Sequence, residues 1–148
     1  MIIDFHTHTF PERIAATALE KLAGKAHMSP VLSGTEAGLL RSMRASGIDR
    51  SVVLPTATTA RSVRHINDAA AAMNRADRGL FSFSAMHPAF EGWEEELYRV
   101  RDLGFAGIKI HPFYQEVDLD DERYLRIIEL ADEMAKADPV YICQGYGV

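Results

Sequence analysis

The sequence predicts an α/β fold of parallel strands and crossover helices, coiled as a (β/α) barrel of the TIM type with only the first four to five β/α units present. Three observations lead there. Five short β-branched or aromatic runs, starting at residues 2, 51, 80, 106 and 140, are each followed by a longer segment with helical spacing. After one longer first connection, the later runs recur at the interval of single βα units, and parallel strands need such right-handed crossovers. Finally, His6-Thr7-His8-Thr9 follows the first run where a dinucleotide-binding fold would place its glycine-rich phosphate turn. The chemistry-bearing residues sit at the ends of the runs, as they do in a barrel.

Each element has its own signal. The strand runs are Ile2 to Phe5, Ser51 to Leu54, Leu80 to Ala85, Ala106 to Ile110 and Val140 to Cys143. Pro11 suits the first turn of a helix whose apolar face is Ile14, Ala18, Leu19 and Leu22, with Gly24 as its stop. Thr35 can cap a helix bearing Leu39, Leu40 and Met43, and Gly47 follows in the stop position. Val63, Ile66, Ala70 and Met73 form the next stripe. Trp93, Leu97 and Val100 form another, closed by Gly104, and Asp121 begins the last, with Tyr124, Ile127, Ile128, Ala131 and Met134 inward.

Composition narrows the class. A chain of 148 residues with 47% hydrophobic and 25% charged side chains is globular in character, which excludes collagenous, disordered and disulfide-stapled types. The single cysteine, Cys143, excludes an internal disulfide. No apolar run approaches the roughly 18 residues of a membrane span, and Met1 to His8 lacks the basic start of a secretory signal, so a cytoplasmic location is expected. Residues 41–78 carry seven arginines against three carboxylates, whereas residues 79–148 carry fourteen carboxylates against six bases. The arginines are interleaved with apolar helical positions and never cluster. With a net charge of −5, they read as solvated helix faces, and no nucleic-acid partner is expected.

Candidate chemistry starts at the first strand. Asp4, His6 and His8 share parity, so on a persisting strand they point to one side while Ile3, Phe5 and Thr7 point to the other. Two imidazoles on one face at a strand end can chelate a divalent metal, and Asp4 could orient one of them. Two further runs end in His-Pro, at His87-Pro88 and His111-Pro112, where proline stops pairing and leaves the histidine at the rim. His87 and His111 are therefore candidate site-lining residues, whereas His27 and His65 have no such support. Lys109 shares parity with His111 and points inward if Ile108 and Ile110 face the helices. A buried lysine there could pair with a carboxylate, contact an anionic substrate group, or become carboxylated and bridge two metals.

Four stretches in order resemble the amidohydrolase-related family of the metal-dependent amidohydrolase superfamily. They are Ile2-Ile3-Asp4-Phe5-His6-Thr7-His8-Thr9-Phe10-Pro11, Gly47 through Pro55, Phe83 to Pro88, and Gly107-Ile108-Lys109-Ile110-His111-Pro112. The resemblance implies a distorted barrel with a divalent metal, zinc being the expected ion, held at the rim by His6 and His8. It also implies a bound water activated by the metal and a late-strand carboxylate that accepts its proton. Members usually place a ligating histidine in a phrase such as Pro-Val-x-x-His-x-Gly. Here Pro139-Val140-Tyr141-Ile142-Cys143-Gln144-Gly145 puts Cys143, itself a possible ligand, at that position.

The family's sixth-strand histidine and eighth-strand aspartate have no counterpart in this sequence. A full barrel takes about 250 residues, so residues 1–148 are expected to be the N-terminal part of such a domain, truncated and with inward faces uncovered. The function expected is a metal-dependent hydrolase of a small-molecule C–N or ester bond. A metal-dependent nonoxidative decarboxylase is the alternative, and a catalytically silent half barrel that self-associates through its uncovered edges is the third reading.

Overall fold

Strand β1 (Ile3–Thr7) opens the chain and helix α1 (Glu12–Ala26) follows it. The computed structural model describes residues 1–27, 29–135 and 141–144. Gly24 does not end α1, which runs on until His27 caps it in the left-handed conformation (φ 53°). Helix α2 (Glu36–Ser46) is punctuated as the sequence suggests: Thr35 Oγ1 accepts from the Gly38 amide at 3.1 Å, and Gly47, at φ 67°, returns its own amide to Met43.

Strand β2 (Arg50–Val53) leads through a single 3₁₀ turn (Ala60–Ser62) into α3 (Val63–Ala76). The run from Leu80 to Ala85 is then two strands, β3 (Leu80–Ser82) and β4 (Ser84–Ala85), separated by Phe83. Helix α4 (Trp93–Asp102), strand β5 (Gly107–Ile110), the short helix α5 (Pro112–Gln115), α6 (Glu122–Ala135) and β6 (Tyr141–Gln144) complete the order.

Among the described residues all strand pairings are parallel, but they do not make a barrel. The strands form two separate three-stranded sheets, in the orders β1-β2-β3 and β4-β5-β6. The TIM-type expectation, and with it the reading of the resemblance as a barrel cut short, is therefore corrected: the architecture is α/β with two small parallel sheets. The physical reason lies at Phe83, where the chain exchanges one neighbour for another. The Phe83 amide still donates to Val53 O (3.0 Å), whereas Ser84 and Ala85 pair with Ile108 and Lys109.

Helix α3 makes that exchange possible. Asn74 accepts from the Ser82 amide (2.6 Å) and donates to Ser82 O (3.0 Å), while Asn67 accepts from the Ala85 amide (2.7 Å) and donates to Ala85 O (3.1 Å). Each side-chain amide imitates a strand neighbour for one residue on either side of the break. Asn67 Nδ2 also donates to Glu96 Oε1 at 2.8 Å.

The helices bury their predicted faces over these sheets. Leu39 and Met43 of α2 close on Val53 and Leu80. Leu97 of α4 and Tyr124, Ile127, Ala131 and Met134 of α6 enclose Ala85, Met86, Ile108 and Ile110 in the main apolar cluster. Each large side chain there contributes about 1.5–3 kcal/mol by leaving water. With Ile108 and Ile110 committed to the helices, Lys109 takes the opposite face of β5 and is fully buried.

Candidate functional site

Strand β1 does not keep its alternation. Asp4 is in register with Ser51 and Thr7 with Val53, so three steps along β1 match two along β2, and the extra residue is a β-bulge. Thr7 is thereby returned to the face of Asp4, contrary to the parity expected from the sequence. Asp4, His6, Thr7 and His8 all line one cavity of about 230 Å³, closed on its far side by α2 and the segment before it. Thr7 Oγ1 ties the end of the strand down by donating to Val52 O at 2.8 Å.

His6 and His8 lie with ring centroids 5.0 Å apart at 70°. Nδ1 of His8 is 2.7 Å from Leu54 O, and because a carbonyl only accepts, that nitrogen carries the proton and the ring's lone pair is on Nε2. Both rings are shifted toward the neutral form. Desolvation, then the Lys109 ammonium, push the His6 pKa below the usual imidazole value against the opposing charge of Asp4. For His8, desolvation outweighs the bond to Leu54, and His6 and Lys109 push further in the same direction.

His111 belongs to the same neighbourhood. Burial, then the charges of Lys109 and His8, lower its pKa to about 4, and among the described residues its buried Nδ1 has no hydrogen-bond partner. Its ring packs on Tyr114 at 4.3 Å, and Tyr114 in turn donates to Leu22 O of α1. The structure therefore brings His6, His8, Lys109 and His111 into one electrostatic group. His87 shares none of these partners: its Nδ1 accepts from the Ala89 amide at 3.1 Å, and burial, then Arg123, lower its pKa.

The donor chemistry of His6 and His8 suits a divalent cation, since a neutral imidazole whose Nδ1–H is engaged by a carbonyl presents Nε2 as a ligand. Their fit extends to two ligands. Among the described residues no group of three His, Cys, Asp or Glu is placed to hold a metal ion, so the expectation of a zinc site is corrected. Cys143 stands in β6 in register with Lys109, and its side chain lies outside the described ones.

Sequence reasoning passed over Gln115. Its Nε2 donates to Ala57 O (2.8 Å) and Met86 O (2.6 Å), and its Oε1 accepts from the His111 amide (2.8 Å) and the Tyr124 hydroxyl (2.5 Å). One buried side chain thus fixes the segments that leave β2, β4 and β5. The available signal was an uncharged polar residue three positions after His111-Pro112, too short a phrase to distinguish from a loop.

Among the described residues no helix is long and apolar enough to cross a membrane. No curated protein and no solved structure gives a significant match to this chain. A family model for amidohydrolases does, over residues 3–143, a span that includes His6, His8, Lys109, His111 and the strands that carry them. The paired strand-end imidazoles therefore sit inside a match covering nearly the whole sequence, and the chain belongs to the amidohydrolase family.

Proposed function

We propose that this chain is a metal-dependent hydrolase acting on a C–N or ester bond of a small molecule, with His6 and His8 as its imidazole ligands. The observation that carries the reading is the 2.7 Å contact of His8 Nδ1 with Leu54 O, which leaves the lone pair on Nε2 of a ring 5.0 Å from that of His6. When bound, a divalent cation supplies Lewis acidity toward water and toward the scissile carbonyl. Burial first, and then the charge of Lys109, shifts the surrounding imidazoles toward the neutral form that can donate or accept. Gln115 and Thr7 hold the strand ends that present them.

The test is equilibrium dialysis of the protein against Mn²⁺ or Co²⁺, with the cation measured on both sides of the membrane. Wild type is expected to bind about one cation per chain, and the His6→Ala, His8→Ala double variant to bind none. Equal metal content in the two proteins removes the reading.

A second reading, association between copies, has support in β1. This strand is at the edge of its sheet and exposes Ile3 (44%) and Phe5 (61%), with Ile2 (59%) beside them. Sedimentation over a concentration series is expected to show wild-type dimers or larger species and a monomeric Phe5→Lys variant. A wild type that stays monomeric throughout excludes this association.

A further inference from the structure

Helix α1 is attached to the rest of the molecule at few points. Among its described residues Ala15 alone is buried; of the apolar face expected from the sequence, Ala18, Leu19 and Leu22 are half-buried and Ile14 stands exposed. Among the described residues none of these side chains joins an apolar core cluster, and a β-carbon added at Gly24 would meet nothing within 4 Å. An element that buries so little apolar surface opens at a lower free energy than the core helices.

Its attachments lie at its base and at its tip. At the base, the Phe10 amide donates to Gly34 O at 2.8 Å, so the chain leaves and returns through one neck, and Leu19 packs over Gly34 so closely that a β-carbon there would lie 2.7 Å from Leu19 Cδ1. At the tip, Lys25 Nζ is 2.7 Å from Glu116 Oε1 and 5.1 Å from the Phe113 ring centroid, and Leu22 O accepts from the Tyr114 hydroxyl at 3.3 Å. These partners follow directly after His111, against whose ring Tyr114 packs at 4.3 Å. Helix α1 thus runs from the end of β1 to the segment after β5, and Leu32, on the return toward α2, lines the cavity of His6 and His8.

We propose that α1 is a lid over the rim that carries His6, His8 and His111, hinged at the neck between Phe10 and Gly34 and latched at its tip by Lys25 on Glu116 and Phe113. Closed, it holds Tyr114 against His111. Open, it frees the Tyr114 hydroxyl and uncovers the imidazole. The latch suits a part that moves, because an exposed ion pair and a cation–π contact hold weakly and the ion pair is screened by salt. As a device that admits substrate, the lid rests on the hydrolase reading; its opening does not.

Hydrogen exchange of the full chain without added metal, read by mass spectrometry, tests the motion. Amides of α1 are expected to exchange about tenfold faster than those of α6 yet more slowly than an unstructured peptide, and low urea is expected to speed α6 while leaving α1 unchanged. Lys25→Met retains the length of the side chain and removes its charge. It is expected to raise α1 exchange about threefold with α6 unaltered, and adding Glu116→Gln to it is expected to bring no further rise. Diethyl pyrocarbonate reads access to the imidazole. In Lys25→Met the modification rate of His111 is expected to rise by the same factor, while that of His65, exposed on α3, stays constant.

Exchange of α1 only in step with α6, an α1 already unprotected in wild type, or a Lys25→Met protein whose α1 exchange or His111 modification matches wild type overturns the proposal. The two readings fail separately. Absence of cation uptake at His6 and His8 with the opening of α1 intact removes the hydrolase reading alone, while normal cation uptake with α1 opening only in global unfolding removes this one alone.

Discussion

Replacing Gln115 by Leu is expected to lower the free energy of unfolding by about 3–5 kcal/mol, measured by urea titration. The substitution retains roughly the same apolar volume and removes all four hydrogen bonds of the amide. Ala57, Met86 and Tyr124 are fully buried and His111 nearly so, leaving water little access to the two carbonyls, the amide and the hydroxyl left behind. Burial holds the Tyr124 hydroxyl well above the usual phenol range, so it stays protonated and must donate. Gln115→Glu separates bonding from packing. Its carboxylate accepts from His111 and Tyr124 as before but turns an oxygen toward two carbonyls, so its loss should shrink as acid protonates it. A loss below about 1 kcal/mol for the Leu variant would mean that the three rim segments are held independently of Gln115.

The second large effect is expected at Asn67, where Leu should cost about 3–4 kcal/mol. Two backbone groups of Ala85 lose their partners, and the wholly buried Glu96 loses a donor, keeping among the described residues Arg99 (2.6 and 2.8 Å) and Arg64 (3.3 Å). The pH dependence adds an independent signature. Burial pushes the Glu96 pKa up, but the bonds from Arg99, Asn67 and Arg64, with the charge of Arg99, outweigh it and leave the folded value below the ordinary one. A carboxyl depressed by folding stabilises fully above its unfolded pKa, and that stability is lost as pH falls through the folded pKa. Removing the Asn67 donor raises the folded value, so acid unfolding of Asn67→Leu should begin at a higher pH than in wild type. Parallel acid limbs in the two proteins would show that Asn67 serves Ala85 alone.

Local order was readable in the sequence where local chemistry decides it. The caps at Thr35 and Gly47, the inward stripe of α6 and the burial of Lys109 between two helix-facing isoleucines all follow from period and residue type. What escaped depends on partners distant in sequence. The division of the 80–85 run at Phe83 requires Asn67 and Asn74 to replace missing ladder bonds, yet on the helical wheel both look like polar interruptions of an apolar stripe. The bulge that returns Thr7 to the face of Asp4 arises only from pairing with β2. His6, His8, His87 and His111 were legible as strand-end residues and Lys109 as an inward-facing one, whereas the separate position of His87 and the role of Gln115 were not, since each is decided by which loops meet in space.

The two asparagines of α3 also act as a gauge. Seven helical residues from Asn67 to Asn74 advance about 10.5 Å along the axis, and three extended residues from Ser82 to Ala85 cover about 10 Å. The two spacings coincide, and they run in opposite directions, Asn67 meeting Ala85 and Asn74 meeting Ser82. Helix and strand can therefore engage at both points in only one alignment. A one-residue insertion between Asp77 and Gly79 could be absorbed by the turn, whereas a one-residue slip of the strand would break both clasps together, so the point at which the chain passes between sheets is fixed from outside either sheet.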